Sequence, residues 1–211
     1  MKAIIDAHYL PCLEYLAVLL SFEEIILEKH EHYVKQSYRN RCYINTANGI
    51  LKLVVPITDK HNKALIKDVQ IDHSSRWQNI HWRAIESSYR NAAFYDHYHY
   101  DIRSILFKDY RFLYDLNLAL LSFCLKAMKQ SISLTESTFY EKVPQNNIVD
   151  LRSVVSPKSA YSERSFYKPL PYTQVFGNKF VTNLSYIDLL FCEGPHSIQI
   201  LRSSTKRDLN K

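Results

Sequence analysis

A group of basic and amide side chains just ahead of a predicted β-hairpin is the first candidate for chemistry in the chain. Lys35, Asn40 and Arg41 lie close together, a few residues before the pair Asn48-Gly49. An Asn-Gly pair favours a two-residue type I′ turn, and its flanks are apolar and β-branched, so a hairpin is predicted over about residues 41–55. Lys35, Asn40 and Arg41 are therefore predicted to bind anionic oxygens of a substrate.

The alternation of side chains along this hairpin predicts which face meets the core. Asn40, Cys42, Ile44 and Thr46 share one face with Leu51, Leu53 and Val55 of the returning strand, and this face is predicted to be buried. The same alternation places Arg39 and Arg41 together on the outward face. One interpretation of the two arginines is a cradle for an anion, and the other is a sheet edge that carries cations for solubility.

A histidine on a predicted helix is the candidate acid–base group. A helix is predicted to begin near Arg76, and its residues Trp77, His81 and Ile85 recur every four positions, which places His81 on the apolar stripe. A histidine in that position is either a hydrogen-bonded core residue or a general acid or base at the wall of a cleft. The catalytic interpretation requires that His81 and Arg41 border the same cleft.

Asp188 is the second predicted catalytic residue. The stretch 183–192 reads NLSYIDLLFC and predicts a helix, with Ser185 at its N-cap and Asp188 in its first turn. Asp188 also lies near the apolar face of that helix, and an inward carboxylate needs a partner. Gln174, Ser185 and Asp188 are predicted to orient the substrate or His81.

Composition limits the class of partner. The formal net charge is +6, but the cations are scattered along the chain. This distribution favours an anionic small molecule such as a nucleotide-linked sugar over nucleic acid, for which a continuous basic stripe is expected. The three glycines, Gly49, Gly177 and Gly194, are too far apart for a glycine-rich phosphate loop or a G-x-S-x-G nucleophile elbow.

Metal, redox and membrane functions find little support in the sequence. The four cysteines are widely spaced in apolar contexts, which predicts reduced packing residues in a cytoplasmic protein. His30 and His32 point the same way in an extended segment but lack a third ligand, so no metal site is predicted and they are interpreted as surface or substrate-facing groups. No apolar run is long enough to span a bilayer. Neither a cofactor nor an oligomeric state follows from the sequence.

The order of predicted elements indicates an α/β fold. A strand over residues 2–9, a helix over 11–22 and a strand over 24–28 open the chain, and the strongest helix covers 112–129. Residues 93–101 are predicted to form a helix terminus or turn. Residues 143–172 contain four prolines, which predicts an irregular segment of the kind that forms active-site lids. We expect a single domain over residues 1–201, with a mixed sheet that includes the hairpin, and a flexible tail over 202–211.

Ordered motifs along most of the chain resemble the WbqC-like family, in a shorter form. The motifs are Tyr9-Leu10-Pro11, KQSYRNRCYI at 35–44, Asn48-Gly49, VVPI at 54–57, His81-Trp82, AAFY at 92–95, DLR at 150–152, SPK at 156–158, PYTQVF at 171–176 and NLSYIDLLFCEGP at 183–195. The family is associated with gene clusters for O-antigen and other surface polysaccharides. The resemblance therefore implies a transferase that attaches an acyl or aminoacyl group to an amino sugar.

Two departures from the longer relatives bear on this function. Ile5 stands where those relatives have a histidine, and the resemblance gives His8 no catalytic role. The chain also has no counterpart of a serine-glycine stretch that precedes the C-terminal motif in longer members. A non-catalytic binding or scaffold protein of the polysaccharide machinery is the alternative function.

Overall fold

A parallel β-sheet lies at the centre of the fold, in a computed structural model that describes residues 1–58, 64–145, 147–164 and 166–206. The strands are β1 (Lys2–Asp6), β2 (Glu24–Glu28), β3 (Arg41–Thr46), β4 (Gly49–Val54), β5 (Ser133–Glu136) and β6 (Ile148–Asp150). The helices are α1 (Leu13–Leu19), α2 (Trp77–Tyr89), α3 (Tyr95–Phe107), α4 (Leu113–Ala127), α5 (Tyr186–Glu193) and α6 (Ser197–Ser204). The predicted α/β class is confirmed.

The strand order places a natural binding crevice at one edge of this sheet. The order is β5-β2-β1-β6, and every neighbouring pair is parallel. The chain passes from β1 through α1 to β2 on one side, and it later returns to pair β6 with the other side of β1. In open parallel sheets, ligands bind beyond the carboxyl ends of the strands where the order reverses. Here that point lies beyond Asp6 of β1 and Asp150 of β6.

The hairpin forms a second sheet of its own. β3 and β4 pair in the predicted register, with Cys42 opposite Leu53 and Ile44 opposite Leu51. Cys42, Ile44 and Leu53 are buried as predicted, but Leu51, on the same predicted inward face near the turn, is 40% exposed. The hairpin is not an edge of the central sheet, whose strands in the described residues are all parallel.

The structure differs from the prediction at α3, β5 and β6, whose sequence patterns are weak. Residues 93–101 were predicted as a helix end or turn, but most of them lie in α3, which continues to Phe107. β5 and β6 are short and largely exposed, so their position is set by pairing with β2 and β1 rather than by an apolar pattern. α6 continues to Ser204, beyond the predicted domain boundary, and residues 207–211 of the predicted tail lie outside the described residues.

Two further predictions concern thiols and membranes. Cys12, Cys42 and Cys124 are buried and unpaired, as expected of packing residues, and Cys192 is half-buried and also unpaired. Among the described helices, none combines the length and the apolar character needed to cross a bilayer.

Gly194, at the end of α5, should tolerate no larger residue. Its φ of 53° and ψ of −128° are strained for other residues, and an added Cβ would lie 2.4 Å from the Phe94 ring. We expect Gly194→Ala to lower the free energy of unfolding by about 2–4 kcal/mol, since backbone strain and overpacking add. Gly49→Ala is the control, because Gly49 also has a positive φ but has open space at its Cβ. It should cost about 1 kcal/mol. Equal losses in urea titrations would contradict this account of Gly194.

Candidate functional site

A buried arginine organises the polar groups at the carboxyl end of β1. Arg39 is 0% exposed, and its Nη1 lies 3.1 Å from Asp6 Oδ2. Its Nε donates a hydrogen bond of 2.8 Å to Glu31 Oε1, and its Nη2 donates to the same oxygen and, at 3.0 Å, to Ser153 Oγ. A guanidinium without such partners could not be buried at tolerable cost. We call Asp6, Glu31, Arg39 and Ser153 the arginine cluster.

The prediction that Arg39 faces outward beside Arg41 is wrong. Arg39 precedes β3, which begins at Arg41, so the alternation of the strand does not extend to it. Its carboxylate partners come from the end of β1 and from the segment after β2. Sequence spacing within the hairpin carries no information about either partner.

Asp6 is the fixed anion of the arginine cluster. Burial opposes its ionisation, but the charge of Arg39, the contact with His8 and the backbone N–H of Ser153 outweigh burial and hold the pKa of Asp6 well below its usual range. The Ser153 N–H donates to Asp6 Oδ1 at 2.7 Å. Ser153 has a φ of 60°, so this contact fixes the chain after β6 in a conformation that is uncommon for serine.

His8 supports Asp6 from the other side. Its Nε2 lies 3.0 Å from Asp6 Oδ2, and its ring packs 4.1 Å from Tyr15 and 5.3 Å from Tyr38 between centroids. Burial lowers the pKa of His8 although Asp6 acts to raise it, so the ring is neutral and its Nε2–H donates to Asp6. Nδ1 is then an acceptor, with no hydrogen-bond partner among the described residues.

Glu31 is the group in the cluster that is poised to exchange a proton. Burial raises the pKa of Glu31 to about 7, and the carboxylates of Asp6 and Glu28 act in the same direction, whereas Arg39 opposes the rise. Asp6 already neutralises Arg39, so an ionised Glu31 leaves the cluster with one excess negative charge. Groups with a pKa near neutrality and access to a cleft are typical acid–base catalysts.

A pocket of about 630 Å³ opens beside Glu31 at the crevice beyond β1 and β6. We call it the carboxyl-end pocket. Its wall combines carboxylates, cations, imidazoles and an aromatic ring, which suits a polar ligand. The lining residues are His30, Glu31, His32, Val34, Leu65, Tyr140, Lys142, Asp150, Arg152 and Ser153. Both histidines of the 30–32 segment therefore line this pocket.

Arg152 makes one wall of the carboxyl-end pocket rigid. Its Nε donates to Asp150 Oδ1 at 2.9 Å, and its Nη1 donates to Glu28 Oε2 at 3.1 Å and to the Glu141 carbonyl at 2.8 Å. Its guanidinium also lies 4.8 Å above the Tyr140 ring. These contacts commit the arginine to protein partners and hold Asp150 and Tyr140 in place for a ligand.

His81 is buried in the core and is not a lining residue of the carboxyl-end pocket. It is 3% exposed, its Nδ1 lies within hydrogen-bond distance of the Tyr9 hydroxyl at 2.8 Å, and the ring also interacts with the backbone of Val54. Burial lowers the pKa of His81 to about 4, against the opposing effect of that backbone contact. Of the two alternatives from the sequence, these contacts fit the hydrogen-bonded core residue.

The structure joins the predicted residues Gln174 and Asp188, whereas the buried Ser185 hydroxyl has no hydrogen-bond partner among the described residues. Gln174 Nε2 donates to Asp188 Oδ2 at 3.0 Å, and Ser185 is the N-cap residue of α5. Asp188 is fully buried and also accepts from the hydroxyls of Tyr89 and Tyr172. Burial raises the pKa of Asp188, although these donors oppose the rise. The contacts fasten the segment before α5 to α2.

The predicted anion-binding residues Lys35, Asn40 and Arg41 differ in burial and in their surroundings. Asn40 is buried, and its Nδ2 donates to the Val55 carbonyl at 2.9 Å, so it braces the hairpin. Arg41 is half-buried at the start of β3. Lys35 is exposed and directly follows Val34, a residue of the carboxyl-end pocket. Of the three residues, Lys35 is the one that is adjacent in sequence to a lining residue of this pocket.

Asp6 and Glu31 were not predicted as site residues, and Arg39 was predicted to face outward. A partial signal existed, because each of the first two predicted strands contains or ends on a carboxylate, Asp6 and Glu28, although the first strand was predicted to run to residue 9 and ends in the structure at Asp6. Acidic residues at the carboxyl ends of adjacent parallel strands converge on one edge of the sheet. The pairing with Arg39 had no such signal.

The structure is that of an α/β protein with a polar pocket at the carboxyl ends of a parallel sheet. The chain belongs to the WbqC-like protein family, whose sequence profile matches residues 6–164 and so includes the whole arginine cluster. It is also similar to "Uncharacterized protein Rv1507c" of Mycobacterium tuberculosis, with 34% identity over 94 residues, or 43% of this chain and 39% of that protein. The match thus spans about two fifths of the relative's length. No solved structure matches the chain.

Replacement of Arg39 should lower the free energy of unfolding strongly. Arg39→Met keeps much of the side-chain volume but leaves Asp6 and Glu31 buried without their cation, so we expect a loss of about 3–5 kcal/mol in unfolding free energy. Without Arg39 both carboxyl pKa values rise, so the loss should grow as pH increases from 5 to 8. Arg83→Met is the control at an exposed position and should change little. A pH-independent loss in urea unfolding would contradict the assignment.

Proposed function

We propose that this WbqC-like protein is a group transferase that acts on a nucleotide-linked amino sugar at the carboxyl-end pocket, in the cytoplasmic steps of surface polysaccharide biosynthesis. The observation that carries the proposal is Glu31, a carboxylate with a pKa of about 7 in the wall of a polar pocket. Attachment of an acyl or aminoacyl group to an amine needs a base of this strength at neutral pH. The family resemblance supplies the polysaccharide context, and the unpaired cysteines fit a reducing compartment.

The lining of the pocket fits the parts of such a substrate. The carboxylates of Glu31 and Asp150 can accept hydrogen bonds from an amino group and from sugar hydroxyls. Lys142 in the lining supplies positive charge for a diphosphate, and Lys35, an exposed residue that follows the lining residue Val34 in sequence, is a second candidate cation. The Tyr140 ring, held by Arg152, offers an apolar face for the sugar.

The proposed step balances with an acyl thioester as donor. The unprotonated amine of the sugar attacks the thioester carbonyl, a C–N bond forms, and the C–S bond breaks as the tetrahedral intermediate collapses. Glu31 accepts the proton that the nitrogen loses and returns it to the departing thiolate. The products are an amide-substituted sugar and a thiol, and no oxidant or metal is consumed.

Replacement of Glu31 tests this role. Glu31→Gln keeps the shape of the side chain and one acceptor oxygen for Arg39 but cannot accept the proton. With UDP-glucosamine and acetyl-CoA, followed by thiol release and mass spectrometry, the parent protein should turn over faster as pH rises through about 7, since the carboxylate form is required. The variant should lose about 10²- to 10⁴-fold in kcat and lose that pH dependence.

A surface variant and a binding measurement complete the test. Glu163→Gln alters an exposed carboxylate and should leave the rate unchanged. Calorimetric binding of UDP-glucosamine without product, also with thymidine- and guanosine-linked amino sugars and with aminoacyl donors, would support the alternative of a non-catalytic binding protein. Failure of all these amino sugars to bind would contradict both functions at this pocket.

A further inference from the structure

A second pocket, of about 350 Å³, lies beyond the far end of the segment that leaves β6. Arg152 and Ser153 of this segment line the carboxyl-end pocket, and Pro157, Ser159, Ala160 and Tyr161 line the second one. We call it the aromatic pocket. Its lining residues are Tyr38, Tyr43, Ile50, Pro157, Ser159, Ala160, Tyr161, Thr182, Asn183 and Leu184. None of these described lining residues carries a charge.

The tyrosine rings of the aromatic pocket are held by packing. Tyr38 and Tyr43 meet edge-to-face, with centroids 6.1 Å apart and planes at 83°. Tyr161 packs edge-on against Tyr167, with centroids 5.6 Å apart. Because Tyr38 and Tyr43 are almost perpendicular, they form no parallel slot of the kind that would sandwich a flat base.

A buried ion pair positions the polar groups of the aromatic pocket. Glu14 is 0% exposed, and Arg164 donates to its two carboxylate oxygens from Nε and Nη2, each at 2.7 Å. Arg164 Nη1 also donates to Ser159 Oγ. Asn183 accepts from the Glu14 N–H at 2.9 Å, and this contact helps to hold its φ at 53°. The charge of Arg164 is therefore neutralised by Glu14, whereas Ser159 and Asn183 are presented at the wall.

We propose that the aromatic pocket is a second ligand site, for a neutral sugar ring. A pyranose has C–H faces that pack on tyrosine rings in edge or face orientation, and its hydroxyls match Ser159, Thr182 and the Asn183 amide. The uncharged lining disfavours a phosphate or carboxylate, because no lining residue provides a cation to compensate for its desolvation. The volume accommodates one ring rather than an extended chain.

The site is linked to the arginine cluster through one side chain. Tyr38 lines the aromatic pocket and also packs against His8, which bonds to Asp6. A ligand that contacts Tyr38 therefore changes the environment of the His8 ring. The nuclear magnetic resonance signals of that ring report on binding in the aromatic pocket, whether or not the carboxyl-end pocket has any transferase activity.

Binding of simple glycosides to the full chain tests the proposal. Methyl glycosides of glucose, galactose, mannose and N-acetylglucosamine are titrated to about 20 mM, a range that detects Kd values of a few millimolar. Saturation-transfer resonance and the ring signals of His8 are followed, with uridine as the flat-base probe. We expect at least one glycoside to bind and to shift the His8 signals, and uridine to bind at least tenfold more weakly.

Variants locate the binding. Tyr43→Ala should weaken glycoside binding at least tenfold, Tyr161→Ala should do the same if Tyr43→Ala fails to fold, and Tyr100→Ala, at a tyrosine 71% exposed on α3, should leave it unchanged. Glu31→Gln should also leave it unchanged, since the site does not depend on transfer at the carboxyl-end pocket. The proposal is overturned if no glycoside binds, if uridine binds as well as the glycosides do and Tyr43→Ala weakens the binding of both equally, or if folded pocket variants bind glycosides as tightly as the parent.

Discussion

The burial of one guanidinium between two carboxylates is the constraint on which the functional edge of this protein depends. Arg39 has no exposed surface, so its charge must be met inside the protein by Asp6 and Glu31. Asp6 supplies the full compensating charge because its pKa is held low. Burial is the main cause that raises the pKa of Glu31 to about 7, and the neighbouring carboxylate of Asp6 acts in the same direction, because Asp6 already balances the charge of Arg39.

The rest of the fold serves to deliver these groups to one edge. β1 ends at Asp6, β2 ends just before Glu31, and β6 leads to Ser153, so three parallel strands converge on Arg39. Ser153 binds both Asp6 and Arg39 and thereby fastens the segment that separates the two pockets. The two pockets differ in the charge of their linings. The carboxyl-end pocket borders the ionised cluster, whereas the charges behind the aromatic pocket are paired with each other.

Local patterns in the sequence predicted the elements that have strong periodicity or turn chemistry. β1, β2, the hairpin register and the helices around Trp77 and Leu120 follow from apolar spacing and from Asn48-Gly49. Short β5 and β6, which depend on pairing with distant strands, carry no comparable local signal. The same limit applies to the site. The contact of Gln174 with Asp188 joins residues that are near in sequence, whereas Arg39 meets Asp6 and Ser153 from distant segments, and periodicity does not encode that meeting.

The central claim is that Glu31 shares its buried environment with an Asp6–Arg39 pair that leaves it poised to exchange a proton. The most direct test is carbon resonance of the side-chain carboxyl groups across a pH titration, with Glu31→Gln and Asp6→Asn used to assign the signals. The account predicts that Glu31 titrates near pH 7 while Asp6 stays ionised down to the acid limit of the folded state. Titration of Glu31 near its ordinary value of 4.5 would contradict the account.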